Sequence, residues 1–303
     1  MPLPPIIHHP AYVADLPDGH RFPMQKFGAL MDVLVEEGLV GPGGPLTPIL
    51  APEGWLTLAH DSAYVAGVLH QTLDREAQRK IGFPVEETVA RRSRAATAGT
   101  VLAARLALEH GIACNTAGGS HHADATGGAG FCVFNDGAVA IRVLQADGLV
   151  GRALVIDLDV HQGDGTARIF AGDDSVMTYS VHAAENYPAR KAGSDHDIAL
   201  PDGVRDEAYL EMLGETLPGV IESAAPDIIL YNAGVDPHED DKLGRLSLSD
   251  AGLAARDRAV LTLARKRRLP IACMIGGGYA DDVQVLARRH ATLHRAAATV
   301  FTD

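Results

Sequence analysis

Cysteine is scarce in this chain: three residues, Cys114, Cys132 and Cys273, and no CxxC pair. An odd, scattered set argues against a disulfide framework or a cysteine zinc cage and favours a reducing compartment. Positive charge is in deficit, with Lys and Arg numbering 26 against 39 Asp and Glu, a formal net charge of −13. Such a balance is a poor basis for gripping nucleic acid through its phosphates, though it does not oppose a cationic substrate. No apolar run approaches the roughly 18 residues that span a bilayer, so no membrane partner is expected. The opening MPLPPIIHHP lacks a basic region followed by an apolar stretch, which speaks against a signal peptide and for the cytoplasm. Also missing is any Ser/Gly/Pro linker long enough to divide domains. The strongest breaker cluster, 38–52, follows a segment too short to form a convincing domain, so residues 1–303 read as one domain. Oligomeric state leaves no mark in the sequence.

What is present is an ordinary globular composition, 47% hydrophobic and 21% charged, in a chain long enough to bury a large core. Apolar runs at 153–159, 227–232 and 271–278, and a more mixed one at 175–182, read as strands covered on both faces. Helical stretches lie between them. Segment 86–110 is rich in Ala and Arg and stops at Gly111; 205–224 repeats apolar residues at helical spacing, with a break or kink expected at Pro218; 249–269 has Ser249 as N-cap and a basic last turn. This alternation predicts an α/β protein with a mostly parallel central sheet and helices on both faces. In such sheets ligands bind beyond the carboxyl ends of the strands, so the polar tails of the apolar runs carry the functional interest.

The densest tail is DLDVHQGDG (157–165), where Asp157, Asp159 and His161 alternate. On an extended backbone they share a side. Three ionisable groups buried together need a counter-charge, and a divalent metal supplies one through ligand types that zinc accepts. Asp and Gly also form turns, so this motif alone leaves both readings open. Asp236, just after the 227–232 run, could complete a set with Asp159 and His161; two carboxylates and one imidazole neutralise zinc and leave positions free for water and substrate. Its neighbours His238, Glu239, Asp240 and Asp241 read as solvated loop charges. The adjacent His121 and His122 in GGSHH can carry protons near neutral pH if carboxylates orient them, and Asp157 and Asp164 are unused for that. In GGGY (276–279) the glycines allow a tight turn beside a ligand, and Tyr279 could donate to a developing oxyanion.

Taken together and in this order, GGSHH, GFCVFND (130–136), DLDVHQGDG, NAGVDPHEDDKLGRLSLS (232–249) and GGGY resemble the histone deacetylase family, whose fold is shared with arginase. The match is dense over 118–280. Gln162, where most of the family has a second His, and the LGRLSLS ending resemble the class IV branch and its bacterial relatives.

The resemblance implies a single-domain arginase/deacetylase-like fold and zinc-dependent hydrolysis of an acyl-lysine amide, acetyl or longer, by metal-activated water. By position, Asp159, His161 and Asp236 match the zinc ligands. His121 and His122 match the tandem histidines, with Asp157 behind the first and Asp164 behind the second. Tyr279 matches the tyrosine that polarises the amide carbonyl. Phe131 and Tyr187 match the tunnel walls, Gly130 a carbonyl that accepts the substrate amide, and Leu243 a gate residue that is Glu in polyamine-selective relatives. A potassium site is implied at Asp157, Asp159, His161, Ser180 and the Val181 carbonyl. The acid that grips substrate elsewhere in the family has no clear counterpart, Asp61 being one candidate. Implied partners are an acyl-lysine peptide or protein, or a small acylated amine such as an acetylpolyamine. A non-catalytic binding module on the same fold would lack a ligand or the tyrosine, and neither is missing.

Overall fold

The computed structural model describes residues 2–302. Strand β1 (Ile6–Ile7) is followed by the helices α1 (Lys26–Glu36), α2 (Glu53–Leu56), α3 (Ser62–Leu69), α4 (Arg75–Ile81) and α5 (Glu87–His110). Then come β2 (Ile112–Asn115), α6 (Asp136–Ala146), β3 (Ala153–Asp157), α7 (Asp164–Ile169), β4 (Val176–Ala183) and β5 (His196–Leu200). The chain finishes with α8 (Asp206–Ala224), β6 (Ile228–Asn232), α9 (Asp250–Arg267), β7 (Ile271–Met274) and α10 (Val283–Thr302).

The strands form one sheet in the order β1-β2-β7-β6-β3-β4-β5, and every pairing is parallel. Alternate residues of its middle strands supply two cores. Leu154 and Ile156 of β3, Ile229 and Tyr231 of β6, and Ile271 and Cys273 of β7 face one apolar cluster with α1, α8, α9 and α10. Val155, Leu230 and Ala272 face the other, with α5 and α6. The side-chain period of two thus lets a continuously apolar strand bury both its faces.

The expected helices form with their expected ends. Gly111 caps α5 in the left-handed region at φ 84°, and the Ser249 hydroxyl accepts the Gly252 N–H at the start of α9. The break expected at Pro218 does not occur, and α8 runs through it. The carbonyl that loses its partner belongs to exposed Gly214, where water can satisfy it. Two apolar runs are shorter as strands than they look: β3 ends at Asp157 and β7 at Met274.

Gly99 in α5 sits at a close crossing. A Cβ there would collide with the Tyr12 hydroxyl and lie 2.8 Å from Asn115 Nδ2, while Tyr12 itself donates to Asn115 Oδ1 at 2.8 Å. Gly99→Val should therefore destabilise the protein by about 1–3 kcal/mol. Thermal denaturation should show it as a fall of about 2–4 °C per kcal/mol. An unchanged midpoint would contradict this crossing.

Candidate active site

The sheet order reverses between β3, whose chain leads outward to β4, and β6, whose chain leads to β7 on the other side. A crevice opens at such a switch point, beyond the strand ends. The register sets Asp157 beside Asn232, the last residues of the two strands. From there the first loop carries Asp159 and His161, and the second carries Asp236.

Past Asp157 the backbone is irregular, and the side chains converge by a different device from strand alternation. Each carboxylate accepts the N–H two residues on: Asp157 Oδ1 from Asp159 at 3.2 Å, and Asp159 Oδ1 from His161 at 3.0 Å. Asp236 Oδ1 accepts the Val160 N–H at 2.9 Å, which binds the second loop to the first. From α9, the buried Arg256 guanidinium donates to the carbonyls of Leu158 (3.1 Å) and Gly234 (2.6 Å), clamping both loops from behind. Gly277 closes the third side. Its N–H donates to Asp159 Oδ2 at 2.6 Å, and a Cβ there would collide with Asp236 Oδ2, so only glycine lets the chain pass.

Asp159, His161 and Asp236 are all buried and present ligand atoms within 4.8 Å of one another. His161 Nδ1 lies 3.0 Å from Asp159 Oδ1 and 3.2 Å from Asp236 Oδ2. One proton on that nitrogen cannot serve two carboxylates well, whereas a cation among the three can. Protein charges alone leave the trio under strain. Burial and the charge of Asp159 push Asp236 up to about 7. Burial disfavours the His161 imidazolium, but the two carboxylates outweigh it and hold its pKa up at about 10. The donor set therefore fits a divalent cation.

The tandem histidines come from the loop after β2. His121 Nδ1 lies 2.7 Å from Asp157 Oδ2, and His122 Nδ1 lies 2.7 Å from Asp164 Oδ1. Burial opposes charge on both rings. At His121, Asp157 and then Asp159 overcome it and raise the pKa to about 9. At His122, burial and the neighbouring charge of His121 push the pKa down to about 3. One ring is thus held charged and the other neutral; a cation at the trio would act against charge on both.

A cavity of about 420 Å³ leads from solvent to these groups, lined by His122, His161, Tyr279, Phe131, Tyr187 and Leu243 among others, with Gly130 at its wall. Phe131 adopts φ 67°, held by its N–H to the Ile81 carbonyl at 2.6 Å, while the Gly130 N–H donates to Lys80 at 3.1 Å. Tyr187 is partly exposed and sets its ring 4.7 Å from that of His122. Among the described residues the Tyr279 hydroxyl has no hydrogen-bond partner, and burial followed by the charges of Asp236 and Asp159 keeps the phenol protonated. Ser180 stands opposite Asp157 in the β3–β4 register, with Val181 next to it, and its hydroxyl lies 3.0 Å from His182 Nδ1.

Three expectations need correction. Asp241 is not a solvated charge: its carboxylate accepts the N–H groups of Tyr279 (2.7 Å), Leu243 (2.8 Å) and Gly244 (2.9 Å), and so positions both Tyr279 and Leu243. His238, three residues earlier, is also buried. Asp61 stands at the start of α3 and does not line the cavity. Gln162, which cannot carry a proton, instead ties the wall together: its amide donates to Asp197 (2.8 Å) and the Ala192 carbonyl (2.9 Å) and accepts the Ala192 N–H (2.8 Å). Sequence reasoning also missed Lys26 and Arg92, buried cations that line the inner end of the site. Lys26 Nζ donates to the carbonyls of Gly276 (3.2 Å) and Gly278 (3.4 Å), and burial lowers its pKa to about 8. Arg92 was legible in principle, since it falls at helical spacing with the buried Val89 and Ala96.

An all-parallel sheet with a buried Asp/His/Asp trio and two carboxylate-backed histidines at its switch point defines an α/β protein of the arginase/deacetylase type. The histone deacetylase domain model matches residues 20–296, and the chain belongs to the histone deacetylase family, a family of hydrolases. It is 47% identical to an uncharacterised protein of Picosynechococcus sp. over 98% of this chain and 99% of that one. It is 32% identical to histone deacetylase 2 of Arabidopsis thaliana, over 89% of this chain and 74% of that one. It is 30% identical to the acetoin utilization protein AcuC of Staphylococcus aureus, over 89% and 75% respectively. The crystal structure of the HDA15 HD domain superposes with a TM-score of 0.82 at 21% identity, covering 98% of this chain and 89% of that chain. No helix among the described residues is long and apolar enough to cross a membrane.

Proposed function

We propose that this protein is a zinc-dependent deacylase that removes acetyl or longer acyl groups from lysine side-chain amides, working as a single catalytic domain. The observation that carries the reading is the meeting of the Asp159, His161 and Asp236 ligand atoms with neutral His122 and unpartnered Tyr279 at the floor of one tunnel. Zinc held by the trio would supply Lewis acidity and bring the pKa of water to about 7. His122 takes the proton of the attacking water and returns it to the leaving amine, with Asp164 fixing its Nδ1–H. His121, backed by Asp157, stays charged and stabilises the negative charge that develops. The Tyr279 hydroxyl donates to the substrate oxygen as it becomes an oxyanion. The Gly130 carbonyl accepts the amide N–H, and Phe131 and Tyr187 flank the lysine chain. The Ser180 hydroxyl, the Val181 carbonyl and the groups of Asp157, Asp159 and His161 are oxygen-rich neighbours suited to a potassium ion.

Gln162 and LGRLSLS support a place in the class IV-like branch, and three free buried thiols suit the reducing cytoplasm. The name of the AcuC relatives keeps small acylated substrates as the second reading. Leu243 at the gate disfavours polyamines among them. The test is a panel of acyl-lysine peptides and acetylpolyamines with metal-loaded protein; polyamine turnover far above peptide turnover would reverse the ranking. The metal itself has a separate readout. At pH 7 the trio holds at least one proton, on His161, and that proton must leave when a cation binds. Titrating zinc into metal-free protein in weak buffer should release about one proton per ion. Stoichiometric zinc uptake with no proton release would place the ion elsewhere.

A further inference from the structure

The tunnel opens past three cations, Arg21, Arg79 and Lys80, and among the described residues no Asp or Glu lines it. This is the reverse of the whole chain, where acidic residues outnumber basic ones 39 to 26. All three side chains are exposed, and among the described residues none has an ion-pair partner. Their places are nonetheless fixed. The Arg21 guanidinium stacks 5.0 Å over the Phe131 ring. Arg79 and Lys80 lie in the last turn of α4, and the Lys80 and Ile81 carbonyls accept the Gly130 and Phe131 N–H groups. The helix end that presents two cations is therefore bonded to the tunnel wall on which the third is stacked. Helix polarity alone could explain cations at the end of α4. It explains neither Arg21, which comes from a separate segment, nor a lining without an acid among the described residues.

We propose that the substrate carries a carboxylate close to its acylated amine, and that Arg21, Arg79 and Lys80 receive it at the tunnel mouth. This rests on the deacylase reading above and narrows its substrate class. The carboxylate could be an acidic residue flanking an acyl-lysine, or the α-carboxylate of free Nε-acyl-lysine. A polycationic tail or polyamine meets like charge at the same place.

The test uses metal-loaded full-length protein and three peptides identical except that acyl-lysine is flanked by Asp, Gln or Lys. Free Nε-acyl-lysine and its α-amide form the other arm. Turnover is measured as kcat/KM, and binding is measured separately by anisotropy of labelled peptides. At low ionic strength kcat/KM should fall from Asp to Gln to Lys by about 10-fold across the series, mostly through KM, since rim charges act mainly on encounter and docking. At 1 M salt, where the screening length is about 3 Å, the order should collapse. The Arg79→Glu/Lys80→Glu protein should reverse the Asp-to-Lys ratio, and the milder Arg79→Gln/Lys80→Gln protein should flatten it. Turnover with no charge order, or with Lys preferred, overturns the mouth and leaves the deacylase standing. Charge-ordered binding with no turnover of any substrate does the opposite. Loss of turnover on amidating free acyl-lysine identifies the α-carboxylate as the group received; indifference to amidation alongside Asp preference identifies the peptide.

Discussion

Alanine in place of His122 should lower kcat on an acyl-lysine peptide by about 10²–10⁴-fold, the span of general acid–base catalysis, with metal content unchanged. The magnitude follows from how the ring is held. Burial and the charged His121 beside it keep His122 neutral, so its Nε2 can accept a proton. Asp164 fixes the other nitrogen at 2.7 Å and is itself paired with Arg168 across one helical turn. Asp164→Asn should cost less than the loss of the ring, because it disturbs the tautomer without removing the base. Single-turnover kinetics alongside metal analysis separate the two effects. An alanine variant with near-normal kcat would remove His122 from the chemistry, and one that also lost its metal would make the residue structural.

Phenylalanine at position 279 should cost about 10²–10³-fold in kcat, or about 2.7–4 kcal/mol, the effect of losing one oxyanion donor, with little change in KM. The rest of the Tyr279 environment is indifferent to the hydroxyl. Its N–H is held by Asp241, and the carbonyls of Gly276 and Gly278 before it are held by Lys26. The ring packs 6.0 Å from Phe131 and 6.4 Å from His161. Removing one oxygen atom that makes no hydrogen bond among the described residues should leave the thermal midpoint nearly unmoved. Comparable losses in kcat and stability would show that the hydroxyl supports the fold, and a rise confined to KM would limit it to ground-state binding.

The parts of this molecule that were legible in its sequence are those where composition and geometry coincide. β3, β6 and β7 bury both faces and so read as apolar runs; α5 and α9 carry explicit end signals in Gly111 and Ser249. The edge strands escaped notice because β1 has only two residues and β5 has no buried position. α10 was missed too, although Asp282 accepts the N–H groups of Gln284 and Val285 at its start; its Ala-, Arg- and His-rich composition hides the apolar stripe. At the site, residues that act through their own side-chain chemistry were visible as motifs. Those that act by tying backbone were not. Asp241 looks like one acid among several, Lys26 like one lysine in an amphipathic helix, and neither betrays the carbonyls or amides it will meet from more than 30 residues away.

Arg256 has a consequence for how the centre comes into being. Its guanidinium spans the carbonyls before Asp159 and before Asp236, yet it belongs to a helix made after both. A chain released from synthesis as far as residue 249 already owns every donor of the trio but lacks the brace between their loops. The two loops are thus braced against each other only once α9 has docked, so a product truncated before that helix would carry the trio's residues without the contact that holds their loops together.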